Sequence, residues 1–175
     1  MIIGERVQLI ALNEDCFELT LKWVNDPETR KFTGAKFPVS KIEHEPWFKT
    51  KATDRYNKTF GIQMRGTGQV IGIVGNTDYD CLNRTSCLFI YIGEKTFRSR
   101  GLGKEALDLM IDFCFDTLNV RKVYAYLFEY NLASRRIFEK CDFQLEGTLK
   151  EHWYKDGQYH DVLIMGRVRP DSFAT

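Results

Sequence analysis

The run Arg98-Ser99-Arg100-Gly101-Leu102-Gly103-Lys104 holds the densest chemistry in the chain, between a strand-like and a helix-like segment. Gly101 and Gly103 let the backbone turn tightly and approach a ligand closely. Free N–H groups at the following helix start, together with the helix dipole, suit a phosphate. Arg98, Arg100 and Lys104 add positive charge, so two adjacent phosphates would use glycines, amides and cations together. Taken alone, the three cations also read as an ordinary solvated turn.

Two familiar phosphate loops fit poorly. A Walker A loop needs Ser or Thr after Gly-Lys, but Glu105 follows Gly103-Lys104, and Arg98 stands where the first glycine belongs. Gly101-x-Gly103-x-x-Ala106 has the form of a dinucleotide-binding turn, with Glu129 near the end of the next strand. That turn should follow its strand directly, however, and residues 93–100 intervene after Ile92.

The whole chain sets limits on this local site. Its 175 residues suffice for one domain with a real core, expected over 1–170 with a tail at 171–175. Hydrophobic residues at 43% exclude a disordered chain, and a net charge of +1 excludes a protein-wide field for nucleic acid. Yet residues 93–104 carry a local +3, from Lys95, Arg98, Arg100 and Lys104 against Glu94. The five cysteines form no C-x-x-C pair, and the three histidines have no metal-ligand spacing, so no metal site is expected. Free thiols, no apolar run of about 18 residues and no signal-peptide pattern give a cytoplasmic protein without membrane contact as the expectation.

The elements that position the loop follow from periodicity. Residues 7–10 read as a strand. Asn13 caps a helix through Val24, Pro27 opens a second helix, and Ser40-Lys41-Ile42-Glu43 has the capping-box form of a third. Pro46 falls deep inside that helix and predicts a kink or break before Trp47-Phe48. Strands at 59–64, 70–74 and 88–92 make an antiparallel meander. Leu107, Met110, Ile111, Cys114 and Leu118 share one face of the helix after Gly103, with Asp108, Asp112 and Asp116 on the other. A strand at 122–127, a helix at 131–140 and a hairpin around Asp156-Gly157 complete the order. The fold class is α+β with one βαβ unit embedded.

Arg98-x-x-Gly101-x-Gly103 resembles the [RQ]-x-x-G-x-[GA] signature of the GCN5-related N-acetyltransferases. Asn131-Leu-Ala-Ser134-Arg-Arg136-Ile-Phe138-Glu139-Lys140-Cys-Asp-Phe143 is similar to that family's N-x-x-[AS]-x-x-x-[YF]-E-K-x-G-F segment. Trp23-Val-Asn25-Asp26-Pro27 and Glu45-Pro-Trp47-Phe48 resemble segments of the branch of ribosomal-protein N-terminal (RimJ/RimL-type) and diamine or polyamine acetyltransferases. Glu146-Gly147 and the Asp-Gly hairpin match that branch too, so the resemblance spans residues 7 to 168.

The resemblance implies a mixed, mostly antiparallel sheet of about six to seven strands with a splayed parallel pair and helices on both faces. It implies acetyl-CoA as cosubstrate. The pyrophosphate would rest on Arg98, Ser99, Arg100, Gly101, Leu102, Gly103 and Lys104, and the pantetheine arm would pair with Ile90, Tyr91 and Ile92. Asn131, Ser134 and Arg136 would line the other wall. The acceptor implied is a primary amine of a small molecule or peptide: a protein N-terminus, a polyamine or an amino-sugar nucleotide. Polyamine-acetylating relatives use a tyrosine acid where this chain has Phe138. Ser134, at the position of a serine in ribosomal-protein acetylating members, is the implied acid. Glu129 is the candidate base through water, and Glu151 and Asp161 are weaker candidates for holding a cationic acceptor. His152 and His160 read as surface or strand residues. Cys141 has no sequence neighbour to activate it for a covalent route. A noncatalytic CoA-binding module and an NAD(P)-binding protein remain as alternatives, and a homodimer is compatible with either.

Overall fold

The computed structural model describes residues 1–170; the tail at 171–175 lies outside the described residues. The chain begins with β1 (Ile2–Ile3) and β2 (Val7–Ala11). Three helices follow: α1 (Glu14–Asn25), α2 (Pro27–Lys31) and α3 (Lys41–Thr53). Each starts where a side chain satisfies free helix amides. Asn13 accepts from Cys16 N, Asp26 accepts from Thr29 N at 2.8 Å, and Ser40 and Glu43 close a reciprocal capping box.

The expected break at Pro46 is corrected: α3 runs through it to Thr53. Pro46 deletes one bond, to the carbonyl of Ile42, and Ile42 is 83% exposed, so water can serve that carbonyl. On the inner face His44 and Phe48 are buried against Phe17, which holds the helix together from that side.

The meander is longer than its apolar runs suggest: β3 (Thr59–Met64), β4 (Val70–Asp80) and β5 (Thr85–Ile92). Helix α4 (Leu102–Asp112) continues as π-helical turns over Phe113–Thr117, then β6 (Lys122–Phe128), α5 (Leu132–Lys140), β7 (Gln144–Lys155) and β8 (Gln158–Val168) complete the chain. Asp156 and Gly157 both take positive φ, as a two-residue hairpin turn requires. The strands form one eight-stranded sheet in the order β1-β2-β3-β4-β5-β6-β8-β7. The added strand is the two-residue β1, too short to leave a periodic signal. One core lies under α4 and α5, centred on Leu107, Met110 and Phe138; a second holds Cys16, Trp23 and Phe48 from α1 and α3. Among the described residues no helix is long and apolar enough to cross a membrane.

One irregularity positions the site. β5 and β6 are the parallel neighbours, and their pairing runs only from Thr85↔Lys122 to Cys87↔Tyr124. Beyond that, β5 stays with β4 as far as Gly72↔Ile92, and β6 stays with β8 as far as Phe128↔Val162. Each strand is held on its outer edge while the inner edges separate. A wedge opens between Leu88–Ile92 and Ala125–Phe128, and inner-edge amides and carbonyls have no strand partner there.

Candidate active site

The first wall of the wedge is the end of β5 and the loop that follows. After a single tight turn at Lys95–Phe97, Ser99 and Gly101 both adopt positive φ, 60° and 78°. Gly101 is the N-cap of α4 and supplies no side-chain acceptor; Glu105 N is the first amide to bond back, to Gly101 O at 3.2 Å. The amides from Arg100 to Lys104 have no protein acceptor among the described residues. They form a row of free donors at the positive end of a helix. A Cβ on Gly103 would meet Ile137 Cδ1 at 3.3 Å and lie within 3.9 Å of Ile92 and Ile90 side chains. The absent side chain therefore lets the start of α4 close on β5 and α5 at the wedge floor.

The cations of this loop differ in availability. Arg98 donates to Ile92 O at 3.0 Å and Thr29 Oγ1 at 3.0 Å, and it pairs with Glu28. Lys95 bridges Asp26 at 3.1 Å and Glu28 at 2.9 Å. Lys104 pairs with Asp108 at 2.6 Å, so Asp108 reaches back to the loop instead of facing away from it. Arg100 alone of the four has no acidic partner among the described residues; it is exposed, with its guanidinium 5.7 Å from the Phe97 ring centre. The local +3 read from sequence is thus largely compensated from α2 and α4, and what remains is Arg100 and the amides.

The Trp23-to-Glu28 segment explains the clamp. Trp23 Nε1 and Lys22 Nζ both donate to Glu94 Oε1, at 2.9 and 2.8 Å. Asn25 exchanges two 2.8 Å bonds with the backbone of Val39. The amide of Thr29, followed by Lys95, pulls the Asp26 carboxyl down to about 2. The segment ties α1 and α2 to the loop between β5 and α4.

The second wall is the end of β6 and the start of α5. Asn131 caps α5, its Oδ1 accepting from Ser134 N at 3.1 Å, so only its amide hydrogens are left for a ligand. The Ser134 hydroxyl makes no hydrogen bond among the described residues, and Arg136 is exposed without a partner. Tyr91 packs edge-on against Trp23 at 6.0 Å, and burial raises its phenol pKa; it therefore offers its backbone, with Ile90 and Ile92, to the wedge. Phe138 is fully buried against Phe143, so no polar side chain replaces the tyrosine at that point. Burial, reinforced by Asp108, pushes the Cys141 thiol up to about 12, which keeps it protonated and unreactive.

Glu129 follows β6, its amide bonded to Asp161 O at 3.2 Å. Its Oε1 lies 3.3 Å from His160 Nδ1, and its Oε2 is buried without a partner. A cleft of about 450 Å³ opens beside it, lined by Lys31, Phe32, Tyr130, Asp156, Gln158 and His160. Two contacts bring α2 here: Tyr130 donates to Lys31 O at 2.9 Å, and the buried Lys155 ammonium donates to the carbonyls of Arg30 and Thr33. With Arg98 at its other end, α2 spans from β5 to β6. Asp161 is held by Lys150 at 2.7 Å and by Glu151 N at 2.9 Å, and Glu151 is exposed, so neither faces the cleft. Trp47 stacks on His44, outside this region. Sequence reasoning overlooked Lys31, Phe32, Tyr130 and His160 as site residues. Only the register of β8 beside β6 and the path of α2 bring them together.

Known proteins resemble this chain in sequence and in fold. A family model described as an acetyltransferase (GNAT) domain matches residues 6–144. The SPbeta prophage-derived uncharacterized N-acetyltransferase YokL of Bacillus subtilis is 24% identical over 96% of this chain and 93% of its own length. Spermidine N-acetyltransferase from Vibrio cholerae, solved with CoA and spermine, superposes with a TM-score of 0.85 at 22% identity, covering 94% and 96% of the two chains. RimL, a ribosomal L7/L12 alpha-N-protein acetyltransferase solved with coenzyme A, also gives 0.85, at 18% identity and 95% and 96% coverage. With a cofactor-type loop, a wedge in the sheet and a family match over most of its length, the chain belongs to the GNAT acetyltransferases, which use acetyl-CoA.

Proposed function

We propose that this acetyltransferase acts on a primary amine of a small molecule or peptide, in the cytoplasm. The observation that carries the reading is the wedge between β5 and β6, open beside a helix start whose amides lack acceptors. The amides of Arg100 to Lys104 and the Arg100 guanidinium would hold the pyrophosphate, with the backbone of Arg98 and Ser99 shaping the turn. The free edge at Ile90, Tyr91 and Ile92 would hold the pantetheine arm as an added strand, and an amide on that edge would polarise the thioester carbonyl. Bound acetyl-CoA supplies the activated acetyl group. Asn131, through its amide hydrogens, and Arg136 would close the second wall.

An ammonium has no lone pair, so the acceptor must lose a proton before it attacks. Glu129, beside the cleft, is the carboxylate that draws this proton away. Ser134, with its uncommitted hydroxyl, would hydrogen-bond the departing sulfur. The mixed charge of the cleft, Lys31 with Asp156, supports a modest acceptor over a highly cationic one, and the net charge of +1 speaks against a nucleic acid partner.

The test is thiol release from acetyl-CoA with a panel containing spermidine, short peptides with free N-termini and nucleotide-linked amino-sugars, with products read by mass spectrometry. An acetylated amine with stoichiometric thiol is the expected result. CoA binding without turnover of any amine would overturn the catalytic reading in favour of a CoA-binding module.

A further inference from the structure

His160 sits in β8 opposite Trp153 of β7 and is only 17% exposed, yet it lines the cleft. Its ring stands edge-on to Tyr130 at 4.9 Å and to Phe128 at 6.0 Å, which fixes its plane. Nδ1 faces Glu129 Oε1 at 3.3 Å. An ionised carboxylate only accepts, so Nδ1 carries the hydrogen. In a neutral ring this leaves the lone pair on Nε2, which has no hydrogen bond among the described residues. Glu129 does not line the cleft; His160 does. The second carboxylate oxygen is buried with no hydrogen bond among the described residues, so Glu129 engages the ring through Oε1 alone.

We propose that His160 is the catalytic proton acceptor for the amine and that Glu129 is its positioning residue. This rests on the amine acetyltransferase reading and names the group through which Glu129 acts. One proton passes from the acceptor ammonium to His160 Nε2 and frees the nitrogen lone pair. The C–N bond forms as the thioester C–S bond breaks and its electron pair leaves on sulfur. The second amine proton ends on the thiol, and the imidazolium, paired with Glu129, returns the first proton to solvent. The charged groups around the pair are Lys31 from α2, Asp156 from the β7–β8 turn and Lys150 from β7, whose ammonium is drawn to Asp161 and Glu129.

Long-range ¹⁵N–¹H NMR of histidine-labelled, CoA-bound protein should show neutral His160 with its hydrogen on Nδ1, and this preference should disappear in Glu129→Ala. A hydrogen on Nε2 would overturn the proposal without any assay. With the panel amine that wild type turns over fastest, kcat/KM should rise with pH along an acidic limb. His160→Gln should lower kcat/KM about 100-fold and abolish that limb, with CoA affinity and melting temperature retained. His152→Gln, an exposed histidine on β7, should match wild type. Wild-type turnover with an unchanged pH profile in His160→Gln sinks this inference alone. No turnover by wild type sinks the reading beneath it, while the NMR result still decides the tautomer.

Discussion

The first wall of the wedge and the cleft beside Glu129 are made of different materials. The wall proposed for the cofactor is mostly backbone: free amides from Arg100 to Lys104 and the inner edge of β5. The cleft proposed for the acceptor is lined by side chains gathered from four places: Lys31 and Phe32 at the end of α2, Tyr130 after β6, Asp156 and Gln158 at the hairpin, and His160 in β8. Backbone recognition tolerates substitution around it, provided that the turn can form. Side-chain recognition changes with every residue, so on the proposed assignment the first wall would serve one cofactor and the cleft could be refitted to different amines. The contrast recurs within one loop, where Arg98 is half-buried and latched to α2 and Arg100 is left without an acidic partner among the described residues.

Substitutions should separate these materials, beginning with the largest effect. Gly103→Val places branched carbon where a Cβ already meets Ile137 at 3.3 Å, and it should push α4 away from the wedge floor. Titration calorimetry should find CoA affinity reduced at least about 100-fold, equivalent to about 2.7 kcal/mol. Ser134→Ala should lower kcat about tenfold while CoA affinity is kept, a difference that stopped-flow thiol release against calorimetry will resolve. The two arginines should behave oppositely. Arg100→Ala should weaken CoA several-fold with melting unchanged. Arg98→Ala should cost about 1 kcal/mol of stability by denaturant titration, because it removes the donor to the Ile92 carbonyl.

The smallest effect concerns acid stability. Asp26 has its folded pKa lowered to about 2, first by the Thr29 amide and then by Lys95, below the unfolded value. Its contribution is therefore complete above about pH 4 and is lost as pH falls through about 2. Melting curves of Asp26→Ala should lie below wild type at neutral pH by about 1 kcal/mol of lost capping, and the gap should close between pH 4 and pH 2.

The same contrast explains what could be read without coordinates. Glycines, helix caps and the order of elements are local, so the loop at 98–104, the caps at Asn13 and Ser40 and the Asp156-Gly157 hairpin were all legible. Pro46 was misread because its effect depends on whether Ile42 faces water, a tertiary fact. The availability of the loop cations was also hidden, since Asp26 and Glu28 reach them from about 70 residues away. His160 beside Glu129 is a matter of strand register across 31 residues, and no spacing rule announces it.

Amide hydrogen exchange with and without CoA tests the central claim directly. The amides of Arg100 to Lys104 have no protein acceptor among the described residues, so they should exchange fast in the free protein and become strongly protected when CoA binds, together with the inner edge of Leu88–Ile92. Protection that appears elsewhere while these two segments keep their free-state rates would contradict the assignment of the wedge as the cofactor site.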